Sequence, residues 1–208
     1  MRIKVCGITN YEDAALALDL GVDALGFNLY PKSPRFTDPV EVRRIIRRLP
    51  PLTTTVGLFV NVTTSGELDA LAHAAGVQVL QLHGDESAGY CRELADWPII
   101  KALRVGEGRD LGNLEGYPVQ AFLVDAYDDN RYGGTGKTFD WRLVEGIGRI
   151  RPLILAGGLR AGNVAAAIRQ AKPYGIDVCS GVERSPGRKD PEKLAAFVSE
   201  VRDVCSRP

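Results

Sequence analysis

Eight short apolar runs, each followed by a longer amphipathic stretch, recur along the chain and leave few folds open to it. The runs cover residues 3–6, 24–28, 55–60, 77–82, 99–103, 121–125, 153–156 and 176–179. Several are continuously apolar, the pattern of parallel strands covered on both faces. Residues 10–20 place Ala14, Ala15 and Leu18 on one helical face and stop at Gly21. Asp38-Pro39 and Asp190-Pro191 each pair an N-cap residue with a proline at the first helical position. Further helices are expected over 65–75 (ending at Gly76), 86–95, 140–146 and 163–171. The gap at 106–118 is glycine-rich and weakly periodic, so a fifth helix there is expected to be short or irregular. Strict strand–helix alternation implies a parallel sheet. Eight units predict one α/β domain over residues 1–208, a (β/α)8 or TIM barrel. An open doubly wound sheet is the alternative. It usually takes fewer strands and a G-x-G-x-x-G loop after the first, where Cys6-Gly7-Ile8-Thr9 stands here.

Charge and cysteine usage narrow the partners. Lys plus Arg and Asp plus Glu both number 26, so the formal net charge is zero. Neither a nucleic-acid footprint nor a membrane-surface patch is implied. Cys6, Cys91, Cys179 and Cys205 match no zinc spacing, and only His73 and His83 offer imidazoles, so no metal is expected. No signal peptide is evident, and no apolar run nears the ~20 residues of a membrane span. The expectation is a reduced, cytoplasmic chain with a small-molecule partner, monomeric or homodimeric.

In such a barrel, chemistry gathers at the C-terminal ends of the strands. The residues at those ends are Cys6, Asn28, Asn61, Gln81 with His83, Arg104, Asp125, Gly157-Gly158 and Ser180-Gly181. Taken alone, Cys6 reads as a small buried hydrophobe. Polar groups collected at one rim raise its standing as a reactive thiol, and Lys4 nearby could favour the thiolate. Gly157-Gly158 and Ser180-Gly181 follow strands seven and eight, where this fold frequently holds phosphate on backbone N–H groups. Ordinary turns are the alternative. Asp125 closes the run Ala121-Phe122-Leu123-Val124. A partly desolvated carboxylate tends to keep its proton, which suits a general acid; a helix cap or a rim ion pair reads equally well. Arg35, in the stiff loop Pro31-Lys32-Ser33-Pro34-Arg35, can grip a carboxylate with two hydrogen bonds, or simply be solvated. His83 reads first as a cap for the helix that follows it. Arg43, Arg44, Arg47 and Arg48 read as a solvated helix face. The stretch Tyr132-Gly133-Gly134-Thr135-Gly136-Lys137-Thr138 has Arg131 where a P-loop needs its first glycine, so it reads as a mobile loop of the site.

The segments Lys4-Val5-Cys6-Gly7-Ile8-Thr9, Tyr30-Pro31-Lys32-Ser33-Pro34-Arg35, Gln81-Leu82-His83-Gly84-Asp85-Glu86, Val124-Asp125-Ala126, Gly133-Gly134-Thr135-Gly136, Leu155-Ala156-Gly157-Gly158-Leu159 and Ser180-Gly181-Val182-Glu183 stand in order along the chain. Together this set resembles the phosphoribosylanthranilate isomerase family of tryptophan biosynthesis, from residue 2 to the last helix. Cys179 departs from it, since the family often has another small residue there. The resemblance implies an Amadori rearrangement of N-(5-phosphoribosyl)anthranilate to 1-(o-carboxyphenylamino)-1-deoxyribulose 5-phosphate. It implies Asp125 as the general acid that opens the ribose ring and Cys6 as the general base that takes the C2 proton. By the same carry-over Arg35 faces the anthranilate carboxylate, and Gly157, Gly158, Ser180 and Gly181 hold the phosphate. Lys4, Gln81 and His83 are further candidates for the site. No cofactor is called for. Another phosphosugar barrel enzyme and a non-catalytic phosphate-ligand binder are the alternatives; the joint presence of Cys6 and Asp125 weighs against the binder.

Overall fold

The computed structural model describes residues 1–106, 112–126, 140–144 and 146–206. Eight parallel strands close into a barrel in chain order. They are β1 (Arg2–Cys6), β2 (Ala24–Asn28), β3 (Thr54–Phe59), β4 (Val79–Leu82), β5 (Ile99–Val105), β6 (Ala121–Ala126), β7 (Leu153–Leu155) and β8 (Gly175–Val178). The circle closes where β8 pairs with β1, Val5 opposite Val178. The described helices are α1 (Tyr11–Asp19), α2 (Pro39–Ile46), α3 (Ser65–Ala75), α4 (Ala88–Glu93), α5 (Ile147–Ile150), α6 (Ala161–Ala171) and α7 (Pro191–Ser206). Among the described residues, no helix is long and apolar enough to cross a membrane.

Local chemistry explains most boundaries. The side chains of Asn10, Asp38 and Thr64 accept from backbone N–H groups in the first turns of α1, α2 and α3. Gly76 ends α3 in the left-handed region at φ 73°. Ser87 caps α4 by accepting from Tyr90 N, so α4 starts later than the pattern at 86–95 suggests. That corrects the reading of His83 as the cap. The helix expected over 140–146 is instead a 3-10 turn at Trp141–Val144, followed by the short α5. Gly146, at φ 95°, breaks the two apart. After β5, a single 3-10 turn at Leu114–Gly116 stands among the described residues where a fifth helix was expected to be short or irregular. The loop expected at 132–138 lies outside the described residues.

Period-two alternation sorts the strand residues between two cores. Ile3 and Val5 of β1, Leu25 and Phe27 of β2, and Phe122 and Val124 of β6 pack outward against Ala14, Val42, Leu68 and Phe197 of the helices. Their neighbours point into the barrel. Val56, Ile100, Ala102, Ala121, Leu123 and Ala156 fill its lower part, and Cys6, Leu58 and Val60 lie above them. The barrel is thus a layered, filled core, with one cavity at the top and another at the bottom, where Arg2, Lys4, Thr54, Val79 and Gly175 line about 600 Å³. Val42 and Ile45 of α2 are buried, while Arg43 and Arg44 on it and Arg47 and Arg48 just after it are exposed; the face expected to be solvated also makes contacts, Arg43 donating to the His73 and Ala74 carbonyls and Arg48 lying over the Tyr11 ring.

One feature of the top has no counterpart in the sequence pattern. After β8, a short antiparallel hairpin of β9 (Glu183–Ser185) and β10 (Arg188–Lys189) folds back over the end of β1. Lys189 N donates to Asp13 Oδ2 at 2.9 Å, and Thr9 Oγ1 donates to the Gly187 carbonyl at 2.5 Å, which pin the hairpin there.

Candidate active site

The C-terminal rim encloses a cavity of about 720 Å³, a volume that suits a small phosphorylated molecule. Cys6, Arg35, Gln81, His83, Asp125, Gly157, Gly158, Ser180 and Gly181 all line it. Asn61 and Arg104 do not line it: Asn61 Oδ1 accepts from Asp85 N at 2.7 Å, and Arg104 pairs with the Asp85 carboxylate. Lys4 lies beneath the wall. It is one inward step below Cys6, and its Nζ bonds Asp177 Oδ1 at 2.8 Å with both side chains buried. Asp177 does line the cavity.

The surroundings of Cys6 favour its thiolate. A hydrogen bond from the Cys179 thiol and the charges of Lys4 and Lys189 outweigh burial and hold Cys6 well below the ordinary thiol range. Cys179 is pushed the opposite way, chiefly by that same bond and by burial. Burial pushes Asp177 up to about 7, against the pull of Lys4. The crowding leaves no room for a side chain on the neighbouring strand. A Cβ on Gly26 would stand 2.8 Å from Lys4 Nζ and 2.9 Å from Cys6 Sγ. Glycine in β2 is therefore what lets the lysine and the thiol sit side by side.

Across the barrel, Asp125 is 6% exposed, and its Oδ1 accepts from Ala126 N at 2.8 Å. His83 Nε2 approaches Asp125 Oδ2 at 3.4 Å. Gln81 Nε2 lies 2.9 Å from His83 Nδ1. Nε2 is buried beside the carboxylate without a hydrogen bond to it. His83 and Asp125 thus face each other at close range within the cavity.

Arg35 is built into the fold, where the sequence allowed a free solvated group. Its Nε lies 3.0 and 3.1 Å from the two oxygens of Glu183, and its Nη2 lies 2.7 Å from Oε2. Lys189, with its side chain fully buried, bonds Glu183 Oε1 at 3.1 Å and donates to the Cys6 carbonyl at 2.5 Å. Burial would push Glu183 up, yet Arg35 and Lys189 together pull it below its usual range. The hairpin therefore delivers a cation, Lys189, to the base of the Cys6 thiol and an anion, Glu183, that orients Arg35.

The two glycine loops meet. Gly157 and Gly158 turn at φ 84° and 59°, a region that side chains rarely enter. A Cβ on Gly157 would come within 2.8 Å of Ala126 N. A Cβ on Gly181 would overlap the Leu159 carbonyl, so only glycine lets the loop after β8 lie against the loop after β7. The eleven-residue α6 starts immediately after the first of these loops.

Asp177, Glu183 and Lys189 are the site residues that strand-end reasoning misses. Asp177 was legible by alternation, since it stands two residues before Cys179 as Lys4 stands two before Cys6. Glu183 and Lys189 sit in a hairpin whose charged residues look no different from solvated ones.

A sequence profile of the N-(5'phosphoribosyl)anthranilate (PRA) isomerase family matches residues 3–200. This chain belongs to the phosphoribosylanthranilate isomerase family. The N-(5'-phosphoribosyl)anthranilate isomerase of Pelobacter propionicus is 45% identical over 206 residues, covering 99% of this chain and 98% of the relative. The crystal structure of phosphoribosyl anthranilate isomerase from Thermus thermophilus matches with a TM-score of 0.90 at 36% identity, over 98% of this chain and 100% of that one. Another solved phosphoribosyl anthranilate isomerase, in complex with reduced 1-(o-carboxyphenylamino)-1-deoxyribulose 5-phosphate, matches with a TM-score of 0.86 at 36% identity, over 98% of this chain and 99% of that one. These solved relatives and this chain share one barrel architecture.

Proposed function

We propose that this member of the phosphoribosylanthranilate isomerase family converts N-(5-phosphoribosyl)anthranilate to 1-(o-carboxyphenylamino)-1-deoxyribulose 5-phosphate, a step of tryptophan biosynthesis. The carrying observation is that a thiol held toward thiolate and a buried carboxylic group, from β1 and β6, line one cavity between a guanidinium and two glycine loops. Asp125, protonated when substrate binds, gives its proton to the ribose ring oxygen, and the ring opens to an iminium. Cys6 as thiolate then takes the proton from C2. The resulting enolamine tautomerises to the ketone. An ordinary thiol is only a few per cent ionised near neutral pH, so the lowering at Cys6 matters for the second step.

The remaining groups bind and orient. Arg35 spends Nε and one face of Nη2 on Glu183. Its outer edge, through Nη1, is suited to the anthranilate carboxylate. Gly157, Gly158, Ser180 and Gly181 offer backbone N–H groups to the phosphate, at the N-terminal side of α6. His83, steered by Gln81, aligns Asp125. The test is direct: purified protein is given the fluorescent anthranilate adduct, and loss of its emission is followed with product identified by mass. No turnover, with the adduct bound, would favour a phosphate-ligand binder instead.

A further inference from the structure

Two thiols, where the proposed chemistry needs one, stand at the closing seam of the barrel. Cys6 and Cys179 follow paired residues, Val5 and Val178, on adjacent parallel strands. Neighbouring strands lie about 4.8 Å apart, and disulfides span Cα separations of about 4.4–6.8 Å. Both residues sit at inward positions and both line the cavity. Each shifts the other's ionisation, Cys6 downward and Cys179 upward, and the Cys179 thiol donates to Glu183 Oε1 at 3.8 Å. A Cβ on Gly7 would come within 3.0 Å of Cys179 Sγ, so the second thiol crowds the turn that immediately follows Cys6. We propose that Cys179 is a resolving thiol, and that peroxides convert the Cys6–Cys179 pair to a disulfide that switches the enzyme off reversibly.

The steps balance with hydrogen peroxide as the oxidant. The Cys6 thiolate attacks one peroxide oxygen, the O–O bond breaks, and Cys6 sulfenic acid and hydroxide form. The Cys179 sulfur then attacks the sulfenic sulfur, the S–OH bond breaks, and water leaves with the thiol proton. One S–S bond has formed, both sulfurs are oxidised and one peroxide is reduced. Two equivalents of a small thiol reverse it. The electrostatics support this order: Cys179, Lys4 and Lys189 shift the group that attacks first toward thiolate, while burial and Cys6 shift its partner toward the thiol. The open cavity admits peroxide to both sulfurs. The other two thiols differ: Cys91 is buried and pushed up to about 11, and Cys205 is exposed at the far end of α7.

The loss of turnover rests on the proposed role of Cys6 as base; the crosslink does not. The experiment uses the full chain carrying Cys205→Ser, which removes intermolecular disulfides. After graded exposure to hydrogen peroxide, peptide mapping without reductant is set beside turnover, before and after dithiothreitol. The expected result is a Cys6–Cys179 linked peptide whose yield tracks a loss of activity of at least about 10²-fold, the worth of a general base, restored by dithiothreitol. In the same background, Cys179→Ser should carry sulfinic acid on Cys6 after sustained exposure, and dithiothreitol should not recover its activity. Oxidised Cys6 with no linked peptide overturns the proposal, as does a Cys179→Ser variant that recovers as fully as its parent. A linked peptide with undiminished turnover overturns instead the role of Cys6, and the switch with it.

Discussion

Lys189→Met is the substitution from which the electrostatic account of Cys6 predicts most. The ammonium lies 2.5 Å from the Cys6 carbonyl. Two unit charges at ~5–6 Å, the separation this implies for the thiolate, interact by roughly 3 kcal/mol at an effective dielectric near 20. Glu183, 3.1 Å from the same ammonium, stays charged on Arg35 in parent and variant alike, so its repulsion of the thiolate cancels in the comparison. The change is therefore about 3 kcal/mol, or about two pKa units. Cys6 is held low partly by Lys189, so removing that charge must raise it, never lower it. In the proposed mechanism the thiolate is the working form, so activity should fall as pH drops through its pKa. The acid limb of kcat/KM should therefore move up by about two units, with a rate about a hundredfold lower below the limb and converging rates above it. The fold should survive, because Glu183 keeps Arg35 and the Gly187 N–H; the lost hydrogen bonds should cost about 1.5–3 kcal/mol in urea denaturation. A uniform fall in rate at every pH, with the limb unmoved, would refute the reasoning.

Other substitutions probe separate parts of the site. Arg35→Ala should raise KM by about 10–100-fold with a lesser change in kcat, if the guanidinium binds the substrate carboxylate as proposed; steady-state kinetics in which only kcat falls would contradict that role. Gly26→Ala adds a Cβ 2.8 Å from Lys4 Nζ, which Asp177 pins, and 2.9 Å from Cys6 Sγ. It should lower kcat by about 10²-fold while circular dichroism stays native, and near-normal kcat would show the thiol position to be uncritical. Lys101 is buried on four acceptors: the Glu86 carboxylate and the carbonyls of Leu82, Gly84 and Ala102. Lys101→Met should cost about 3–5 kcal/mol and lower Tm by roughly 10 °C in calorimetry, whereas an unchanged Tm would deny the network its structural role.

The barrel was legible because eight apolar runs and their caps agree with one another. Asn10, Asp38, Ser65 after Thr64, Gly76 and Asp190 mark helix ends by chemistry that acts within a few residues, and local chemistry is what a sequence displays. The same logic failed at 140–146, where one glycine in the left-handed region splits the pattern. The cavity wall was largely readable, because a parallel barrel sends its strand ends to one rim. Lys4 and Asp177 were harder: they pair across the seam of the barrel, between residues 173 apart in sequence. Glu183 and Lys189 depend on a hairpin that no periodicity announces. Arg35 illustrates the limit most clearly. Its charge and its stiff loop are written in the sequence, but the buried carboxylate that fixes its direction belongs to the far end of the chain.

The central claim is that one thiol and one carboxyl group perform the two proton transfers. It is tested most directly by Cys6→Ala and Asp125→Asn in single-turnover reactions with the anthranilate adduct, with binding of a reduced product analogue measured on the same preparations. The account predicts that each variant binds the analogue within a few-fold of the parent, while the rate of emission loss falls by about 10²–10⁴-fold. A rate close to the parent's in either variant, with binding intact, would contradict it.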